Sequence, residues 1–452
     1  MEVIKIGGAV LGKSGGFESM LDIIENHTSK PLLIVISAFS SETRQLESAA
    51  RIAESGNEKE AEKIISGIVN ELTKFSESLI SNKLHLSNLK SIFHKGQKEI
   101  LKYIRGLSIT RELTPRTLDA ILSYGEYFSL HTVNQYLIEK GYKHECIDST
   151  SLIVSDTNFG NANPLIPETK ANVETLLKPA LNKNSIVLTQ GFIAKDLLGE
   201  ITTMGIESSN LTATLYAELL GTKKLTIWTD VNGFRTADPK LVPDAKPIKE
   251  MNFHDAYIAS VNGLKLLYPA MIDHASEKNI KLIYRSAFEP GRNQTIIHNG
   301  AEPLSQPLMI LKENLSFIRI SLPSTKAKDE AEAFIMRDKE MKNKIFSFAI
   351  NQDYIKIIAP KHLSNKIKLQ ELSGNYTDEP CSVITIMNPD NDLGFITNNK
   401  NFKIFRNIIL DYELNYSNNI ARLIVQHGNE NEFILALYQN LFGKSETESS
   451  LI

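Results

Sequence analysis

Cysteine is almost absent from this chain: Cys146 and Cys381 are the only two among 452 residues. They stand far apart and in no metal-ligand spacing. That argues against a disulfide framework or a thiolate metal site and suits a reducing, cytoplasmic setting. Long hydrophobic runs are missing too. The longest, such as residues 31–39 (PLLIVISAF), are the size of a strand and fall short of the roughly 20 residues that span a bilayer, so no membrane partner is expected. The N-terminus lacks the charged and then apolar pattern of a signal peptide and enters a strand pattern at Val3. An excess of one charge is lacking as well: 50 Lys and Arg against 53 Asp and Glu leave a net charge of −3, which gives no field to gather nucleic acid. No long repeat or low-complexity tract is present, and tryptophan occurs once, at Trp228.

What is present is a rhythm. Short runs rich in Ile, Val and Leu (VIKIGG, PLLIVISAF, NSIVLTQGFIA, KLTIWTDVNG, IKLIYRSA) alternate with helix-length segments. One of these, RTLDAILSYGEYFSLHTVNQYLIEKG, ends on a glycine stop. The runs are continuously apolar, as in strands buried on both faces. The fold class expected is therefore α/β: an open, mainly parallel sheet with helices on both faces. Residues from about 41 to 111 break the rhythm with a charged, proline-free stretch of helical periodicity, read as a helical insertion beside the sheet. A boundary falls at residues 299–308 (NGAEPLSQPL), where Gly and Pro cluster. Beyond it, about residues 307–452 mix short strands with helices, which suits one or two small α+β modules.

Ligands of open α/β sheets bind outside the carboxyl ends of the strands, so the loops there carry the functional reading. The first, KIGGAVLGKSGG, contains G-G-A-V-L-G-K-S from Gly7 to Ser14, which matches the phosphate-cradling pattern G-x-x-x-x-G-K-[ST]. Lys5 precedes its glycines and Lys13 follows them, and by itself the loop is either a phosphate site or a plain turn. In the second, VISAFSSETRQL, Ser37, Ser40, Ser41 and Thr43 open a helix, as an anion site or a serine N-cap. In the third, TTMGIESSN, hydroxyls again precede a helix, with Glu207 opposed to an anion and no arginine to hold one. The fourth, IWTDVNGFRTADPKLVPDAKPI, alternates acidic and basic groups between a glycine turn and two prolines, a specified shape where a nucleotide would lie.

With that fourth loop, the chain resembles the aspartokinases of the amino-acid kinase superfamily. The supporting strings KIGGAV, VISAFSSETRQL, SYGEYFS, VLTQGFIA, TTMG and NGLKLLYPAMIDHA follow in the family's order and cover about residues 1–300. FILALYQNLFG resembles the last helix of the family's ACT regulatory region. The family has no Walker loop, so the Gly-Lys-Ser that follows is read as coincidence. The resemblance implies a catalytic domain over 1–300 and an ACT-like regulatory or dimerising region over 307–452. It implies ATP and Mg²⁺, a homodimer, and transfer of the γ-phosphoryl group to the side-chain carboxylate of L-aspartate or a similar amino acid. That step opens the route to lysine, threonine and methionine. Lys5 would contact the transferring group. Gly7, Gly8, Ser37, Thr229, Asp230, Arg235, Lys240 and Lys265 would bind ATP. Thr43, Glu126, Phe192, Ser209 and Asn210 match substrate-side positions, and no resident metal site is expected.

The third loop departs from the family's T-T-L-G-R-G-G-S-D. Ile206 replaces the arginine that would hold a substrate carboxylate, Glu207 and Ser208 replace glycines, and Asn210 replaces the aspartate. Ala9 and Val10 replace two hydroxyl residues in the opening loop. Arg44 stands where the family usually has asparagine, and the expectation is that it supplies the missing positive charge. The alternatives are a kinase for another small carboxylate and a nucleotide-binding regulatory paralogue without turnover.

Overall fold

The computed structural model describes residues 1–27, 31–39, 41–205, 208–321, 344–350, 354–361, 363–364, 375–387, 408–415 and 417–442, with positions 329, 332–333 and 337. The chain forms two compact units. The first is Met1–Phe234, Ile248–Tyr257 and Leu266–Ala301; the second is Arg235–Pro247, Ile258–Lys265 and Glu302–Ile452. The chain thus enters the second unit three times, not only near residue 300.

The first unit is built on an eight-stranded sheet. Its strands are β1 (Glu2–Ile6), β2 (Leu32–Ile36), β3 (Glu145–Cys146), β4 (Ile186–Gln190), β5 (Lys224–Thr229), β6 (Glu250–Met251), β7 (Lys281–Ser286) and β8 (Thr295–Ile297), in the order β6-β8-β7-β5-β1-β2-β4-β3. All neighbours pair in parallel except β7 with β8. The register sets Ile6 beside Ile36 and Trp228, Ile36 beside Gln190, and Thr229 beside Ser286, so these strands end along one edge.

The expected burial on both faces is observed: every residue of β2 and β4 is buried. Side chains alternate along a strand. Ile4, Ile6, Leu32, Ile34 and Ile36 join one core with α2 (Gly16–Glu25), α3 (Glu42–Glu54), α4 (Glu58–Leu79), α5 (Lys83–Thr110) and α6 (Pro115–Glu139). The alternate residues Val3, Leu33 and Val35 are buried as well, and α7 (Ser208–Leu219) packs against β1, β2 and β5.

Local signals explain the helix ends. Asn57, Asn82 and Thr114 cap α4, α5 and α6 through side-chain oxygens, and Pro115 holds the first position of α6. Gly141, at φ +77°, stops the chain after α6. A small sheet of Val154–Ser155, Ile193–Asp196 and Ile201–Thr203 lies in the same unit.

The second unit holds one antiparallel sheet of β9 (Leu308–Ser321), β10 (Ser347–Ile350), β11 (Tyr354–Pro360), β12 (Asn375–Met387), β13 (Ile409–Asn415) and β14 (Ile420–Gln426), ordered β10-β11-β9-β12-β14-β13. Where the sequence leaves one or two modules open, the described strands form a single sheet. The long strands β9 and β12 pair along most of their length, broken by one bulge between Lys312 and Leu315. Phe433, Ile434, Leu437 and Tyr438 of α8 (Glu430–Phe442) pack on Ile384, Ile386, Leu423 and Val425. Most of residues 322–336 and the tail from residue 443 lie outside the described residues.

Candidate active site

β1 ends in the glycine loop. Gly7 donates its N–H to the Trp228 carbonyl at 3.0 Å, which ties the loop to the end of β5. A short helix, α1 (Gly8–Leu11), starts at once. A Cβ on Gly8 would stand 1.9 Å from the Ala38 carbonyl oxygen, so only glycine lets the ends of β1 and β2 approach this closely. The helix begins before Gly12-Lys13-Ser14, whereas a P-loop places that triplet at the helix start. Lys13 instead pairs with Asp230, Nζ to Oδ2 at 2.6 Å. Burial pushes the Asp230 carboxyl up, but this ammonium outweighs it and holds the group below the usual carboxylate range.

The loop after β2 meets α6. The Ala38 N–H donates to Glu126 Oε1 at 3.2 Å, and Glu126 is 3% exposed. Burial pushes Glu126 up to about 8, against the opposing pull of the Ala38 bond and the Lys5 charge. Lys5 is 6% exposed, and its Nζ lies 3.6 Å from the place a Cβ on Gly7 would take. Thr43 closes the same corner: its Oγ1 is 3.5 Å from the place a Cβ on Gly125 would take. Ser37 is half-buried at the end of β2. Lys5, Gly7, Gly8, Ser37, Thr43 and Glu126 are thus brought to one end of the sheet.

β4 contributes the opposite wall. The Gly191 N–H donates to the Ile36 carbonyl at 2.9 Å, and a Cβ there would meet Ser209 Cα at 2.6 Å. Phe192 follows at φ +70°, an uncommon conformation for a bulky residue, held by its N–H bond to Thr212 Oγ1 at 3.2 Å. Ser209 and Asn210 are buried at the start of α7. Asn210 donates its side-chain amide to the Leu266 carbonyl at 3.0 Å, so half of its polar capacity anchors a backbone. Its Oδ1 and the neighbouring Ser208 Oγ have no hydrogen-bond partner among the described residues. Ile206 and Glu207 lie outside them.

Two residues were not singled out from the sequence. Asp119 is one. Its Oδ2 accepts from the Thr203 and Gly160 N–H groups, both at 2.8 Å, and its Oδ1 accepts from Thr203 Oγ1 at 2.7 Å. It lies two turns before Glu126, on the same face of α6. A lone acid on an apolar helix face, seven residues from another, was the available signal. Asp119→Ala leaves the two buried Thr203 donors unpaired, at about 1–3 kcal/mol each, so a loss on the order of 2–5 kcal/mol is expected in urea unfolding. Glu42 is the other: it is buried, and burial pushes it well above the usual range, with Glu126 adding to the rise. The serine N-cap expected in this loop is only partly present, because Ser41 takes the cap position at φ +82° without a side-chain bond.

Arg44 is placed elsewhere: it is exposed and lines a shallow groove with Glu47, Ser48 and Arg51 of its own helix. Of the residues expected to bind nucleotide, Thr229 and Asp230 end β5 and share a 3.3 Å hydrogen bond. Arg235, Lys240 and Lys265 belong to the second unit. There Arg235 Nη1 donates to the Ala245 carbonyl at 2.7 Å, and Asp238 accepts from the Lys240 N–H at 2.9 Å and lies 4.0 Å from Lys265 Nζ. No helix of the described residues is long and apolar enough to cross a membrane.

A profile of the amino acid kinase family matches residues 1–285, well over half of the chain and most of the first unit. The chain belongs to that family. Among relatives, Aspartokinase 1, chloroplastic, of Arabidopsis thaliana is 26% identical over 329 residues, 71% of this chain and 56% of that protein. Lysine-sensitive aspartokinase 3 of Escherichia coli (strain K12) is 29% identical over 315 residues, 68% of this chain and 67% of that one. The match therefore spans little more than half the length of the plant relative. Among solved structures, E. coli aspartokinase III in complex with aspartate and ADP (R-state) has a TM-score of 0.81, covering 98% of this chain and 100% of that one at 22% identity. This amino acid kinase therefore shares its fold with aspartokinase along nearly its whole length.

Proposed function

We propose that the chain is an aspartate kinase, transferring the γ-phosphoryl group of ATP to the side-chain carboxylate of L-aspartate. The product, 4-phospho-L-aspartate, leads toward lysine, threonine and methionine. The observation that carries this reading is that buried Lys5 and buried Glu126 stand within electrostatic reach of each other at the end of the parallel strands. The names of the relatives and the aspartate and ADP of the neighbouring structure support it.

A side-chain carboxylate, with a reference pKa of about 3.9, is already ionised at neutral pH and needs no general base. One of its oxygens attacks the γ-phosphorus, the bond to the bridging oxygen breaks, and ADP leaves. Catalysis is then positioning and charge neutralisation. Lys5 neutralises the transferring group beside Gly7, Gly8 and Ser37. Glu126 receives the substrate ammonium, with Thr43, Phe192 and Ser209 around it. Thr229 and Asp230 hold the nucleotide. Mg²⁺ arrives on the phosphates of ATP. The reading also takes the C-terminal sheet as an ACT-like, homodimer-forming region and the enzyme as cytoplasmic.

A second reading, a kinase for another small carboxylate or a nucleotide-binding paralogue, is favoured by the use of Asn210 as a backbone anchor. Hydroxylamine trapping with Mg-ATP tests the two. Hydroxamate that accumulates only with L-aspartate supports the first. Intact ATP binding with no hydroxamate from aspartate overturns it, and a panel of other carboxylates then identifies the acceptor.

A further inference from the structure

A cavity of about 140 Å³ opens between the start of α3 and the side of α4; none of its lining residues is assigned above to substrate or nucleotide, although Glu42 adjoins Thr43 and feels the charge of Glu126. Its α4 wall is Ile68, Glu71, Leu72 and Phe75, spaced i, i+3, i+4 and i+7, hence one helix face. Phe39 stands against Phe75, ring centroids 5.5 Å apart in an edge contact. The polar end is Glu42, with Glu71 and Gln45 beside it.

Glu42 is 7% exposed; a backbone hydrogen bond at Phe39 pulls its carboxyl down, but its Oε2 has no hydrogen-bond partner among the described residues. No described residue forms an ion pair with it. A buried carboxyl left this way is costly unless a donor or cation completes it. The titratable groups that face it are Glu126 from α6 and Glu71 from α4, both acidic, so no described titratable group supplies a compensating charge. A metal ion would need more ligands than the described residues offer. The volume equals only four or five waters at about 30 Å³ each, too little for a nucleotide, and one end of it is apolar.

We infer that this cavity binds a small primary alkylammonium ligand, its charge on Glu42 and Glu71 and its aliphatic stem against Phe39, Leu72 and Phe75. The site is independent of the kinase reading. Burial raises the Glu42 carboxyl well above the usual range and a bound cation opposes that rise, so binding is linked to proton release.

The probe is n-butylammonium, titrated calorimetrically into the full-length protein in buffers of differing ionisation enthalpy. Saturable binding with net proton release is expected. Glu42→Gln keeps the shape and should weaken binding roughly 10-fold or more and abolish the proton release. Gln45→Lys, which changes a half-buried position and should fold, brings a tethered ammonium to the carboxyls and should block the probe. Glu126→Gln should leave probe binding intact. The inference is overturned if the wild-type chain does not bind the probe, if Glu42→Gln and Gln45→Lys both bind it normally, or if Glu126→Gln alone removes binding.

Discussion

Replacing Lys5 by methionine is expected to lower acyl-phosphate formation by ~10²–10³ in kcat, with ATP affinity and the unfolding midpoint little changed. Lys5 is fixed on β1 with Val35 and Ile227 on either side, so its stem cannot swing away. Methionine keeps the apolar stem and removes only the charge. A preorganised donor in a water-poor site, aimed at charge that develops during transfer, is worth about that factor. The contrast is Lys13→Ala. Lys13 is half exposed, and its pair with Asp230 belongs to a class worth about 0–1 kcal/mol, so turnover should fall less than 10-fold. Measuring kcat and ATP binding separately for both variants decides the matter. If the two lysines exchange these effects, the strand lysine is not the group that neutralises the transferred phosphate.

Glu126→Gln is expected to stabilise the folded protein while disabling it. The Glu126 carboxyl rises from 4.5 to about 8 on folding. Between those values the folded state holds the proton that the unfolded state has lost. Stability therefore falls as pH rises through this window and levels off above about 8. At ~1.36 kcal/mol per pH unit, the full penalty is on the order of 3–5 kcal/mol. Glutamine keeps an oxygen for the Ala38 N–H and carries no charge to bury. Its unfolding free energy should match wild type near pH 4 and exceed it by several kcal/mol at pH 9. The KM for the amino substrate should rise roughly 10–100-fold, the range of one charge-assisted hydrogen bond. In wild type, KM should fall as pH rises from 6 to 8, because the ammonium must meet an ionised carboxylate. A variant less stable than wild type at pH 9 would show that Glu126 is ionised and stably paired in the empty protein.

Much of this was legible before any tertiary contact was known. Five continuously apolar runs announced a parallel sheet covered on both faces, and the strands appear where the runs lie. The caps at Asn57, Asn82 and Thr114 and the stop at Gly141 obey rules that act over four residues or fewer, so they can be read in order along the chain. The glycine-lysine-serine string was the misleading element. Its letters match a P-loop, but a pattern has no information on where the helix starts, and α1 starts too early.

Local chemistry, carried by short-range geometry, decided the strands, the helix ends and the elements that carry Lys5, Glu126 and Thr229. Only the tertiary structure decided what surrounds them. Asp119 became an anchor because Gly160 and Thr203, remote in the chain, turn their N–H groups toward it. Glu42 became a buried acid because α4 and α6 close over it, and Arg44, one turn of thought away in the sequence, became a surface residue on the same helix. Burial and pairing are properties of contacts between distant segments, and a carboxylate's charge state follows from them rather than from its neighbours in the chain.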